Sequence, residues 1–392
     1  KKIFLLAILI RFLIMPFFYH PDIKSQHYHF QFLSKGVLNI YQFISSNKKN
    51  LGYGDTFNYL PLTFYTFGSF HTLIKPFLGS DFNIWLNDWG ETKNSSPNIN
   101  YYMLILKLPY LILDISIACL LLKIYKQINL FYLWLFNPVS IYLIYILGNF
   151  DILPTFLTIL SYYYLKNNKL FLSYLLIGIA IALKVYPIIF LPFLFFYKKE
   201  HILKHLKYVW VSFLPLVFTT IPFIVQNSFL NSFLGSGLTQ KILEYKVYNI
   251  PLFPIIYLII LIQYILSKSK YKFEIATTQS FLFFISLLNF HPQWIIWFFP
   301  FVLFIYTNSN LSQKIYLILF FLLTFLYIFL INDNYLFWGH LVAIDPIFAD
   351  ITSPHILIKL KFNQNPDTIK LLIHQFLLFL SILGSISYAK KK

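Results

Sequence analysis

Apolar residues in this chain gather into runs of roughly 17 to 25, long enough to cross a hydrocarbon core as helices. Short polar clusters separate the runs, and the alternation continues along nearly the whole length. The pattern predicts a first span over 3–19. Further spans are expected near 101–122, 130–147, 152–165, 170–184, 186–197, 208–225, 250–266, 275–290, 294–306, 313–331 and 369–388. The total is about 11–13. Between the first two lies a long polar and aromatic segment, 20–100. Within it, 60–78 is apolar enough to look like a span of its own. The pieces 186–197 and 294–306 are short for full crossings and read as tilted, broken or buried in the bundle. The expected fold class is all-α: a polytopic transmembrane helix bundle with a long first outer loop.

Composition strengthens that reading. The chain has 392 residues, 58% of them hydrophobic, 21% aromatic and only 11% charged, whereas soluble domains carry about a quarter charged residues. It reads as an integral membrane protein. The first run continues into the next segment without a small-residue cleavage site, so a removable signal peptide is not expected. The single cysteine, Cys119, allows no intrachain disulfide.

The net charge of +17 would suggest nucleic acid in a soluble protein. Here the lysines sit mostly in short clusters between apolar runs, where positive charge sets orientation. No nucleic-acid partner is expected. Suppose Lys1 and Lys2 lie inside and 60–78 does not cross. Then Lys123/Lys126, Lys166/Lys169, Lys198/Lys199/Lys204/Lys207, Lys268/Lys270/Lys272, Lys314 and Lys390–Lys392 all fall on one side. On that ground 60–78 reads as a re-entrant or interfacial helix. Lys241, Lys246, Lys359 and Lys361 fall on the other side and dissent. The same parity brings Asp22, Asn149–Asp151, Lys184–Pro187 and His291–Gln293 to the outer ends of their spans.

These four clusters hold the candidate chemistry. Asp22, just past the first run, reads either as a general base or as a helix cap, since Pro21-Asp22 suits a helix start. His20, His27 and His29 lie near it, but a His-x-His pattern without a further ligand at a recognised spacing is weak support for a metal. Asp151, after Gly148, reads as a cap, or as a cap that also serves a site, because carboxylates at membrane depth mark sites. Lys184 lies in mid-run, far from a polar flank. It gains an exit only if the helix breaks at Tyr186-Pro187, which would suit it to an anionic ligand; the alternative is an ion pair with Asp114 or Asp151. Lys107 and Asp114 share a helical face and read as a buried neutralising pair, with each other or with neighbours. Arg11 either snorkels or faces the interior. Asn289, His291 and Gln293 surround a proline break, and an imidazolium there could bind phosphate. No phosphate-cradling glycine loop, His-Glu-x-x-His or cysteine pair occurs.

The order of short motifs resembles a known group. Arg11 stands in the first span. There follow Pro21-Asp22, Gly-Val-Leu-Asn-Ile-Tyr at 36–41, Asn-Tyr-Leu-Pro-Leu at 58–62, and Lys-Leu-Pro-Tyr-Leu-Ile-Leu-Asp at 107–114. Then come Asn137-Pro138, Gly-Asn-Phe-Asp at 148–151, Ala-Leu-Lys-Val-Tyr-Pro at 182–187 and Phe-His-Pro-Gln-Trp at 290–294. The sequence resembles the GT-C superfamily of polyprenyl-phosphate-sugar-dependent glycosyltransferases, and within it family 87 and the GPI mannosyltransferases. The likeness covers roughly 1–300, including the outer loop 20–100; 301–392 is similar to the variable transmembrane tail of such enzymes.

The resemblance implies a membrane catalytic module whose first outer loop carries membrane-lying helices. It implies Asp22 as the base that deprotonates an acceptor hydroxyl in a single inverting displacement. Lys184, His291 and Gln293 would hold the donor phosphate, with Asn149, Asp151, Tyr186 and Arg11 in support. The donor would be a polyprenyl-phosphate-linked hexose, with mannose the expected sugar. The acceptor would be a glycolipid, a glycan or a protein on the outer or lumenal face. That face would belong to a bacterial plasma membrane, or to the endoplasmic reticulum in a eukaryote. Two features depart from the pattern. Ile23 and Lys24 follow Asp22, with no second acid before Asp55, which favours a metal-free mechanism and leaves a divalent metal open. Leu60-Pro61 replaces the usual aromatic-proline pair. The competing readings are a flippase or transporter for lipid-linked oligosaccharide, and a non-catalytic subunit of a glycan-assembly complex.

Overall fold

A computed structural model describes residues 2–53, 56–90, 96–198, 202–234, 245–362 and 364–389. Lys1, Asp55, Lys199, Lys241 and Lys390–Lys392 lie outside the described residues. The chain begins with α1 (Lys2–Ile14), α2 (Pro21–Ser34), α3 (Ile40–Asn47), α4 (Pro61–Asn87), α5 (Ile99–Tyr125) and α6 (Ile128–Leu135). The middle carries α7 (Pro138–Ile141), α8 (Ile152–Lys166), α9 (Leu170–Leu183), α10 (Leu191–Phe195), α11 (Ile202–Val209), α12 (Leu214–Thr220) and α13 (Asn227–Leu234). A two-residue hairpin, β1 (Lys246–Val247) with β2 (Ile250–Pro251), leads into α14 (Leu252–Leu266) and α15 (Lys272–Leu287). The chain closes with α16 (Phe299–Thr307), α17 (Leu311–Phe329), α18 (Pro354–Lys361) and α19 (Pro366–Ala389). The architecture is an all-α polytopic bundle, and the core is one continuous apolar cluster rich in aromatic rings.

Among the described residues, four helical stretches are long and apolar enough to cross a membrane singly: Ile99–Tyr125, Ile202–Thr220, Leu311–Phe329 and Pro366–Tyr388. The count reaches six if each of two bent pairs forms one span. This is fewer unbroken long helices than the apolar runs suggest. Proline is a principal reason. Pro16 falls within the first run and Pro21 just after it, Pro138 within the third and Pro187 within a later one; each removes a helical donor, and the residues before Pro21 and Pro138 are extended. The apolar run 60–78 became part of α4, which is broken at Gly79 and is not among the helices that meet the crossing criterion.

The first break matters most. His20, preceding Pro21, is extended (φ −130°, ψ 137°), and its ring Nδ1 accepts the Asp22 backbone N–H at 3.2 Å, capping α2. The axis turns by 79° there. Helix α2 then lies against α4, with nearly all of its residues from Ile23 to Phe32 buried.

Two ends of the bundle can be told apart. Asp151 precedes α8 and Lys166 ends it, so they stand about 22 Å apart at 1.5 Å per residue. Lys166 lies over the Tyr125 ring at 5.2 Å, Lys198 donates to Asn168 at 2.8 Å and Gln127 donates to Asn308 at 3.1 Å. The lysine-bearing turns near 126, 168 and 308 therefore share one end.

Candidate active site

The opposite end gathers the polar clusters. After a π-turn at Tyr142–Ile146, Gly148 takes the left-handed conformation (φ 64°) and turns the chain into Asn149–Asp151. A Cβ at Gly148 would meet Lys107 Cε at 2.8 Å, so the position needs glycine on two counts. Asn149 donates to Gln293 Oε1 at 2.7 Å, tying this turn to the break before α16.

Asp151 begins α8 but makes no side-chain cap bond. Its carboxylate pairs with the Lys184 ammonium and accepts the Trp297 indole N–H at 3.1 Å. Of the alternatives for Lys184, the structure takes Asp151 and not Asp114. Helix α9 stops at Leu183, earlier than the Tyr186-Pro187 step, and Lys184 itself is extended (φ −152°, ψ 136°). Thr63 Oγ1 donates to the freed Leu183 carbonyl, one of the acceptors a helix end leaves open. The Lys184 ammonium stands over Phe150 at 5.1 Å and Tyr59 at 5.5 Å. Tyr186 stacks flat on Trp297 at 3.8 Å and bonds Thr155 at 2.8 Å. The Asp151 side chain is 1% exposed and that of Lys184 15%, so the lysine is the less enclosed member of the pair.

Asp22 lies near enough to this pair for its charge to act on Asp151. Its side chain is 36% exposed, an open carboxylate in a buried setting. The N-cap of α2 is His20, not Asp22, so the cap reading of this aspartate does not hold. Asp22 sits in the first turn instead, where the helix N-terminus favours negative charge. Its charge bears on Tyr59, Asp151 and His291. The His291 ring meets that of His20 edge-on at 6.3 Å. Burial pushes His291 down to about 4 against the pull of Asp22. Burial thus favours the neutral imidazole over the imidazolium.

Other polar residues fall elsewhere. Arg11 is fully buried, facing inward, and pairs with Asp114. Asp114 also accepts from Trp134 at 2.6 Å and Tyr145 at 2.7 Å. Lys107 does not pair with Asp114: its ammonium donates to the carbonyls of Met15, Phe18 and Tyr145 at 3.2, 2.6 and 2.7 Å. Arg11 thus braces the first span, and Lys107 braces the hinge that carries Asp22. His27 Nδ1 lies 3.1 Å from His71 Nδ1, and His29 packs between Tyr53 and Phe57. Among the described residues, no three His, Cys, Asp or Glu side chains form a metal-binding group.

The sequence reading missed Asp333. This residue follows α17 in a segment assigned to the variable tail, and it comes within 3.7 Å of His20 Nε2. Its loop docks on the first hinge, where Tyr19 N–H donates to the His340 carbonyl at 2.9 Å. The available signal was the polar island Asn332-Asp333-Asn334 between apolar runs.

Fold and site define an integral, multi-pass all-α membrane protein with a cluster of polar side chains at one end. Residues 111–265 match the model of glycosyltransferase family 87. Over 101 residues the chain is 33% identical to GPI mannosyltransferase 1 of Kluyveromyces lactis, covering 23% of this chain and 25% of that protein. The chain thus spans about a quarter of the length of the curated relative it matches. No solved structure gives a significant match. The two similarities support a GT-C-like glycosyltransferase.

Proposed function

We propose that this protein is a membrane glycosyltransferase that moves a hexose, mannose by preference, from a polyprenyl-phosphate donor to an acceptor hydroxyl. The acceptor is a glycolipid, a glycan or a protein on the outer or lumenal face. One observation carries the reading: segments near residues 22, 59, 150, 184 and 291, far apart in the chain, gather one accessible carboxylate and the Lys184–Asp151 pair on which its charge acts. The family match and the mannosyltransferase relative support the chemistry.

In the proposed reaction an Asp22 oxygen takes the proton of the acceptor hydroxyl. The hydroxyl oxygen forms a bond to the anomeric carbon as the bond from that carbon to the phosphate oxygen breaks. The lipid phosphate leaves with the electron pair. A single displacement inverts the anomeric configuration. Lys184 has three N–H donors, of which Asp151 uses one, so others remain for phosphate oxygens. His291 and Gln293, both from the break before α16, are the further donors. Charge-assisted bonds to the departing phosphate strengthen as its negative charge grows.

The test compares wild type with Asp22→Asn in membranes supplied with radiolabelled polyprenyl-phosphate mannose. Loss of a general base lowers transfer by about 10²–10⁴-fold. Equal transfer by both proteins would remove Asp22 from the mechanism.

A further inference from the structure

The hinge between α1 and α2 holds a buried imidazole between two carboxylates. His20 is 4% exposed. Its Nδ1 lies 3.6 Å from Asp22 Oδ1 and its Nε2 lies 3.7 Å from Asp333 Oδ2. The rings of His340, His291 and Tyr335 surround it at 5.9, 6.3 and 6.4 Å. Lys107 adds the nearby positive charge. The two carboxylates come from opposite parts of the sequence, one from the first hinge and one from the loop after α17.

We propose that His20 and Asp333 are positioning residues for the base: Asp333 fixes the imidazole, and the imidazole fixes the state of Asp22. The inference rests on the reading of Asp22 as general base. Hydrogen-bond capacity decides the tautomer. Nδ1 accepts the Asp22 backbone N–H at 3.2 Å, so in this state Nδ1 carries no proton and the ring is the Nε2–H tautomer. That N–H faces Asp333. The Asp22 carboxylate then receives no proton from the ring and stays free to accept one from the substrate.

Adding a proton to His20 reverses the arrangement. Nδ1–H can no longer accept from the backbone, and it confronts the Asp22 carboxylate. A carboxylate already held by a cationic donor is less free to take the substrate's proton. Burial pushes the His20 pKa down, but Asp22 and Asp333 outweigh it and the net shift is upward. The transition from active to held base therefore lies at a higher pH than it would without Asp333.

A purely architectural role for Asp333 makes a different prediction. Asp333 Oδ1 caps the following turn by accepting Tyr335 N–H at 2.9 Å, a bond that asparagine keeps. The loop is also docked independently by the Tyr19–His340 backbone bond. Asp333→Asn thus removes charge while retaining the cap and the dock.

The experiment measures mannose transfer from polyprenyl-phosphate mannose between pH 5 and 8 for wild type, Asp333→Asn, Asp333→Glu, His20→Gln and Asp22→Asn. Asp333→Asn should lower kcat by about tenfold to a hundredfold, as for other partners that orient a reactive group. Its KM should hold, and the acid limb of its profile should move to lower pH. Asp333→Glu should restore much of the rate. An Asp333→Asn protein with wild-type kcat and an unmoved limb overturns the proposal. Should that variant fail to accumulate, His20→Gln decides: its acid limb should vanish, and persistence of the limb overturns the proposal. If Asp22→Asn is inactive and Asp333→Asn behaves as wild type, only this inference falls. If Asp22→Asn stays active, the base reading falls and takes this inference with it.

A second readout needs no donor. A raised His20 pKa gives stability that is fully present below the ordinary histidine pKa of about 6.5 and lost as pH rises through the folded value. The Tm gap between wild type and Asp333→Asn in detergent should therefore be wider at pH 5.5 than at pH 8. An equal gap at both contradicts the pairing.

Discussion

Replacing Lys184 by methionine separates two roles that the geometry assigns to one ammonium. The first is to neutralise Asp151, which is 1% exposed. Breaking a buried ion pair by removing one partner costs about 3–5 kcal/mol, because the other charge stays behind. Asp151 would keep its Trp297 bond, and the Lys184 side chain, 15% exposed, is not fully enclosed. The retained indole bond and the incomplete enclosure of the Lys184 side chain place the loss at the lower end, about 3 kcal/mol, or roughly 150-fold in the folding equilibrium. The double variant Lys184→Met/Asp151→Asn removes both charges, and the introduced amide oxygen could still accept from Trp297. Its stability should return to within about 1 kcal/mol of wild type, a recovery of about 2 kcal/mol relative to Lys184→Met. The second role is to hold the donor phosphate. If Lys184 does so, the double variant regains its fold but transfers about 10²–10³-fold more slowly, as when one charge-stabilising donor is lost. Denaturant titration in mild detergent reads the first quantity, and label transfer in proteoliposomes reads the second. A double variant that recovers both stability and rate refutes the phosphate role. A single variant as stable as wild type refutes the energetics of the pair.

Three further outcomes are expected of the same structure. Arg11→Leu should cost about 3–5 kcal/mol by leaving Asp114 buried without its cation, while Arg11→Leu/Asp114→Leu should recover much of that loss; thermal unfolding in detergent measures both. Gly148→Ala forces a side chain into the left-handed region and against Lys107 Cε, a cost of about 1–3 kcal/mol. The strain lies one residue from Asn149, so transfer should fall along with Tm, and an unchanged rate would detach this turn from the site. In a Cys119→Ala background, Ser46→Cys places an exposed thiol on α3. A membrane-impermeant reagent should reach it from the Asp22 side of the membrane, and reaction only from the lysine-rich side would invert the proposed topology.

Several features of the bundle were legible in the residues themselves. The apolar runs dictate helices, since a chain in hydrocarbon must satisfy its own backbone. Pro21, Pro187 and Pro292 announce breaks, because proline removes a donor and restrains the residue before it. The breaks in turn mark where polar side chains can leave the helix ladder, and three candidate clusters lie at them. The spacing of lysine clusters separated the two ends of the bundle, and the described turns near 126, 168 and 308 do gather at one of them.

Partner choice was not legible. Lys107 and Asp114 share a helical face, which made them a plausible pair. The structure instead gives Asp114 to Arg11 and Lys107 to three carbonyls. Periodicity states which side of a helix a residue occupies but not which neighbouring helix meets it. The charge state of His291 had the same difficulty, since burial by several elements pushes it down to about 4. A linear sequence does not display that enclosure.

The sequence by itself determined that this chain folds as broken apolar helices with Asp22 just past the first break, because proline rules and hydrophobic length act locally. It also determined which acids, lysines and histidines were available for chemistry. Only the tertiary structure decided that Asp151 pairs with Lys184, that Asp22 keeps an exposed carboxylate, and that Asp333 from the far end of the chain faces His20. Those outcomes depend on contacts between segments as many as 313 residues apart, from His20 to Asp333. Such contacts are fixed by packing geometry, which no local pattern encodes.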